Sequence, residues 1–167
     1  ITNKENMKQS YCRFQAYKRI NNKDIICFLD GDDWLFDNNV LQKLSIEYKS
    51  DILMTYGSYY NYNNGMTINK LIISNLPSKG ISKNYRKNMS WYGMPLRTGY
   101  AYLYKSIPEL YYKDENNKWM SACTDVAEFL WAIEQVNGKF KNIKYPTYVY
   151  NIDASKRFDN SIFNLSK

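Results

Sequence analysis

The sequence predicts an α/β domain with a mostly parallel, twisted sheet flanked by helices and a small antiparallel excursion. Three observations lead there. Short apolar, β-branched runs end in polar turns, helical stripes alternate with those runs, and 44% hydrophobic residues in a chain of 167 supply one core. The chain reads as a single domain over residues 1–167, with no repeat and no Pro/Gly linker.

Each element has its own signal. Tyr11, Phe14 and Tyr17, with Ala16 and Ile20 alongside, recur every three to four residues and predict an amphipathic helix over 8–20. Polar residues 21–24 end it. Residues 25–29, Ile-Ile-Cys-Phe-Leu, form a continuous apolar run that reads as a strand buried on both faces. After Asp37-Asn38-Asn39, a capping segment, Val40, Leu41, Leu44 and Tyr48 share a helical face, and residues 52–56 read as a second strand. Helix, strand, helix, strand in that order implies parallel pairing. Residues 57–93 are rich in Tyr, Asn, Ser and Gly and read as a β-excursion followed by a mobile loop. Thr124 precedes a stripe of Val126, Phe129, Leu130 and Ile133, Asn137-Gly138 stops it, and residues 147–150 form a late strand.

Composition removes whole classes of chemistry. Histidine is absent, which excludes an imidazole base, a Ser-His-Asp triad and a His-ligated zinc. Carboxylates must do the work. Cys12, Cys27 and Cys123 are too few and too scattered for a zinc knuckle or a disulfide framework, so free thiols in a reducing, intracellular compartment are expected. No apolar stretch approaches the ~20 residues of a bilayer span, and residues 1–10 lack a secretion-signal pattern. The over-use of Asn, Lys, Tyr and Ile points to an AT-rich genome. A net charge of +7 suits an anionic ligand, with Lys79, Lys83, Arg86 and Lys87 either contributing or forming a solvated loop. Nucleic acid is not the expected partner, because no helix-turn-helix, zinc-finger or RNA-binding sheet signature is present.

The sharpest feature is Asp30-Gly31-Asp32-Asp33, placed directly after the first apolar run. Ligands of open α/β sheets bind beyond the carboxyl ends of strands. Three crowded carboxylates repel one another unless a hard cation offsets the repulsion, and all-oxygen ligands favour Mg²⁺ or Mn²⁺. A plain Asp/Gly-rich turn is the simpler alternative. Asp125 falls in the first turn of a helix, where it serves either chemistry or helix-end charge. Arg97 is either a clamp for an anion or a surface ion-pair partner. Trp91, Tyr92 and Trp119 are stacking platforms for sugar rings or core residues.

Residues 25–35, IICFLDGDDWL, resemble the strand and Asp-x-Asp segment of the family 2 glycosyltransferases, inverting enzymes of GT-A (Rossmann-like) fold. The segment from Arg13 to Ala16 resembles that family's Ala-Arg-Asn-x-Gly helix, Leu96-Arg97-Thr98-Gly99-Tyr100 an acceptor-side segment, and Thr124-Asp125-Val126-Ala127 the place of its catalytic acidic residue. The resemblance implies a soluble hexosyltransferase that moves a sugar from a nucleotide diphospho-sugar, with UDP-sugar as the expected donor, to a hydroxyl of a glycan or protein. It assigns Asp32 and Asp30 to a Mn²⁺ or Mg²⁺ ion, Asp30, Asp32, Asp33, Arg13 and Arg97 to the donor, and Asp125 to proton removal from the acceptor. The family carries a nucleotide-binding βαβ unit ahead of the Asp-x-Asp strand. Such a unit takes roughly 30 or more residues, so an N-terminally incomplete domain is expected. A truncated, non-catalytic interaction module and a metal-dependent nucleotidyltransferase are the alternatives.

Overall fold

The computed structural model describes residues 3–68, 70–73 and 95–155. Helix α1 (Gln9–Tyr17) leads into β1 (Ile25–Phe28), β2 (Trp34–Leu35) and α2 (Val40–Glu47). Strand β3 (Met54–Asn63) is followed by β4 (Met66–Thr67), β5 (Ile72–Ile73) and β6 (Arg97–Tyr100). Helix α3 (Ala101–Lys105), a 3₁₀ turn (Glu109–Tyr112), α4 (Thr124–Gln135), β7 (Phe140–Asn151) and α5 (Ile152–Ser155) complete the described chain. Among the described residues no helix is long and apolar enough to cross a membrane.

The strands form one sheet in the order β1-β6-β3-β7-β2, with β4 and β5 also pairing on β3. Five of the described pairings are antiparallel and one, β3 with β7, is parallel. The mostly parallel, GT-A-like sheet expected from the sequence is therefore not what forms. Much of the difference lies in β6. Its sequence, Arg-Thr-Gly-Tyr, has neither an apolar run nor a hydrophobic alternation, yet it inserts between β1 and β3 and runs antiparallel to both. The expected antiparallel excursion is present as a continuation of β3, which runs well past Tyr56, turns back through Asn64 and Gly65 and pairs with β4 and β5. Both residues have positive φ, 52° and 78°, the backbone that a two-residue hairpin turn of matching twist requires. Beyond Ile73, the loop expected up to residue 93 lies outside the described residues, as do Lys79, Lys83, Arg86, Lys87, Trp91 and Tyr92.

Strand β1 is also not buried on both faces. It ends the sheet order, and Ile25 and Leu29 are exposed by 41% and 46%. The sheet separates two apolar clusters. One gathers α1, α3 and α4 through Tyr17, Met54, Tyr56, Leu103, Tyr104, Phe129 and Ile133. The other gathers α2 through Val40, Leu44, Leu96, Ile143 and Tyr148. Strand alternation divides β1 between them, with Ile26 and Phe28 on the first and Cys27 on the second. In α2, Val40 and Leu44 are buried as expected while Leu41 faces out.

Helix α4 buries Phe129, Ala132, Ile133 and Val136 at i, i+3, i+4 and i+7, each large side chain contributing about 1.5–3 kcal/mol. Val126 and Leu130, expected on that stripe, are only half-buried. The true inner face is turned toward Thr124 and Glu128, both buried. Past the helix, Asn137 and Gly138 adopt positive φ of 46° and 82° and reverse the chain into β7, as the sequence implied.

Two tests follow from this packing. A Cβ at Gly57 would lie 2.3 Å from Thr147 Oγ1 and 2.8 Å from the Leu96 backbone nitrogen. Gly57→Ala therefore lowers unfolding free energy by about 1–3 kcal/mol in urea titration, and an unchanged midpoint would refute this packing. All three cysteines are free, with Cys123 exposed and Cys27 half-buried. Burial pushes the Cys27 thiol up to about 11, so at pH 8 only about one molecule in a thousand presents a thiolate there. Native protein should show labelling by a thiol reagent at pH 8 that Cys123→Ser reduces, with Cys27 labelled only as pH approaches 11 or on unfolding.

Candidate functional site at the carboxyl end of β1

The acidic run after β1 is a tight turn. The backbone N–H of Asp33 donates to the carbonyl of Asp30 at 3.2 Å, which closes the turn around Gly31 and Asp32. The three carboxylates then separate by role. Asp33 folds back on β7, where Oδ2 accepts the Tyr148 hydroxyl at 2.6 Å and Oδ1 accepts the Asn151 N–H at 2.8 Å. Its pKa is raised, chiefly by burial, and those two hydrogen bonds oppose the shift. Asp32 points to solvent and the Asp30 side chain is 46% exposed. Asp33 is thus an anchor for the turn, while Asp30 and Asp32 remain outward.

Beside the turn lies a cavity of about 350 Å³ lined by Asp30, Arg97, Asp125, Tyr59, Tyr148 and Tyr150. Asp30 and Asp125 are distant in sequence and meet here because of β6. Arg97 opens that strand directly opposite Phe28, two residues before Asp30. Its guanidinium is almost wholly buried and donates to Asp125 Oδ2 at 3.2 Å. Asp125 is presented by the first turn of α4, after a left-handed residue, Cys123, with φ 60°. A carboxylate there faces the positive end of the helix. The tyrosines arrive by strand geometry: Tyr148 and Tyr150 alternate onto one side of β7, and Tyr59 is the register partner of Tyr148.

Arg13 does not line the cavity. It reaches from α1 to Glu128 Oε2 at 2.7 Å and to Asp30 Oδ1 at 3.5 Å, with its guanidinium over the Phe28 ring at 5.4 Å. Trp119 packs against Tyr11 and Phe14 and belongs to the core. Of the residues singled out in the sequence, Asp30, Arg97 and Asp125 share the cavity, Asp32 lies beside it on the turn, Arg13 stands behind it, and Asp33 is structural. Glu128, Tyr148, Tyr59 and Tyr150 were not anticipated. The alternation Tyr148-Val149-Tyr150 and a lone Glu beside the apolar stripe of α4 were the available signals.

Among the described residues no three Asp, Glu, Cys or His side chains converge as a metal cage. A Mg²⁺-type ion needs fewer: one or two carboxylates suffice when substrate phosphates complete the shell. Asp30 and Asp32 present hard carboxylate oxygens on one turn, with Asp32 exposed and Asp30 half-exposed. No family model and no curated protein sequence matches the chain.

Tyr148 ties this site to the sheet, since its hydroxyl also accepts the Asp30 N–H at 3.4 Å. Tyr148→Phe is expected to cost about 1–3 kcal/mol in denaturant unfolding, and a wild-type midpoint would remove the anchoring role.

Proposed function

We propose that this chain is an inverting glycosyltransferase, acting on a nucleotide diphospho-sugar in the manner of the family 2 enzymes that its Asp-x-Asp segment resembles. The observation that carries the reading is the convergence of Asp30, Asp125 and Arg97 on one cavity. The cavity walls also suit a sugar. Tyr59, Tyr148 and Tyr150 offer aromatic surface to the C–H faces of a pyranose, and the carboxylates accept its hydroxyls.

Asp125 is the base in this reading. Arg97 holds Oδ2, so that Oδ1 accepts the proton of the acceptor hydroxyl. The acceptor oxygen attacks the anomeric carbon from the face opposite the leaving group, the bond to the diphosphate oxygen breaks, and the electron pair leaves with the diphosphate. One displacement inverts the configuration. Asp32 and Asp30 would hold a Mn²⁺ or Mg²⁺ ion, which when bound neutralises charge on the diphosphate. Asp33 keeps the turn in place through Tyr148 and Asn151.

Calorimetry of UDP with Mn²⁺ and a UDP-release assay with UDP-sugars test the reading. UDP binding is expected with Mn²⁺, is lost in EDTA and is lost in Asp32→Ala. Asp125→Asn should retain that binding while donor turnover falls by about a hundred- to ten-thousand-fold. Undiminished turnover in Asp125→Asn would overturn the assignment of the base. Pyrophosphate release from a nucleoside triphosphate and a sugar phosphate would identify a nucleotidyltransferase instead, and binding without any turnover an interaction module.

A further inference from the structure

Glu128 is a charged residue in the core. It is 2% exposed and lies one turn beyond Asp125 on α4. Its carboxylate accepts Arg13 Nη1 at 2.7 Å and the Tyr17 hydroxyl at 2.6 Å. A buried carboxylate persists only when partners of this quality replace water. Arg97 and Glu128 also border a small void walled by Phe28, Tyr104 and Phe129. From one lip of the cavity to the other, the charges therefore alternate: Asp30, Arg13, Glu128, Arg97, Asp125.

The middle of this series sets its ends. Arg13 reaches two carboxylates through different nitrogens, Glu128 through Nη1 and Asp30 through Nη2, and lies closer to Glu128. Its contact with Glu128, at 2.7 Å, is a full charge-assisted hydrogen bond, whereas its 3.5 Å approach to Asp30 is longer than such a bond. The buried partner wins because no water competes there. We propose that Glu128 is a positioning residue of the site: by drawing the Arg13 guanidinium toward α4, it leaves the Asp30 carboxylate open to the cavity. The consequence for donor binding rests on the glycosyltransferase reading. The placement of Arg13 does not.

Two substitutions separate charge from shape. Glu128→Gln keeps the size and can still accept a hydrogen bond, but it frees Arg13 to close on Asp30. Glu128→Asp keeps the charge in a shorter side chain. UDP·Mn²⁺ affinity is expected to fall about tenfold in Glu128→Gln and to stay within about threefold of wild type in Glu128→Asp. A purely structural role reverses that order, with the isosteric Gln harmless and the shortened Asp damaging, and that result would overturn the proposal. A crystal structure of Glu128→Gln supplies a readout that needs no ligand. Arg13 to Asp30 contacts shortened to about 2.8 Å support the proposal, and an unmoved guanidinium refutes it. Wild-type protein that binds no UDP with Mn²⁺ would count against the donor reading alone, and the Arg13 displacement would then decide the positioning role. If Glu128→Gln does not fold, the doubly neutral Arg13→Gln/Glu128→Gln chain carries the test. Affinity near that of wild type supports the proposal, and a tenfold loss overturns it.

Discussion

Strand β6 is the constraint on which the rest of the architecture depends. Its four residues each meet a different demand. Arg97 turns toward the cavity and holds Asp125. Thr98 faces the other side of the sheet and shares hydrogen bonds of 2.6 Å with Tyr48 and Thr55. Gly99 leaves room for Tyr104, whose hydroxyl would lie 2.8 Å from an added Cβ. Tyr100 passes the chain directly into α3. Because β6 pairs with β1 on one side and β3 on the other, it sets the separation between the acidic turn and the strand that carries Tyr59. The same pairing that closes the core builds the cavity.

Electrostatics follow from that geometry. An arginine and a glutamate would each be costly alone in this interior, and they are tolerated because every buried charge has an opposite neighbour. Glu128 shows the balance: burial raises its pKa, while Arg13, the Tyr17 hydroxyl and Arg97 pull against that rise. Tyr17 responds to the same surroundings, pushed up by burial and by the adjacent Glu128 carboxylate. Among the charged residues that line the cavity, Asp30 and Asp125 outnumber Arg97. That excess suits a dication and the hydroxyls of a sugar.

Much of the site was legible in the sequence, and less of the sheet. An Asp-rich run after an apolar strand is a positional signal that survives any rearrangement of strand order, so the turn that carries Asp30 to the cavity, with Asp32 exposed on it, was legible. The place of Asp125 in the first turn of α4 was legible because helix starts are marked by local chemistry. The hydrogen bonds of Asp33 were not legible, because nothing local to it reveals Tyr148 and Asn151, which lie far along the chain. Glu128 was missed because a helical stripe with a charged edge reads as a narrower stripe, and only the partners on α1 show that the charge points inward. The sheet failed as a whole at β6. Pairing partners are a long-range property, and a strand of Arg, Thr, Gly and Tyr hides its structure from any test of apolar periodicity.

The fastening of the acidic turn has a further consequence. Asp33 is stapled to β7, the strand with the most extensive pairing to β3, by a phenol and a backbone amide. A segment so held has little freedom left to surrender when a guest arrives. The rim is therefore preorganised, its ordering entropy spent once, while the chain folds.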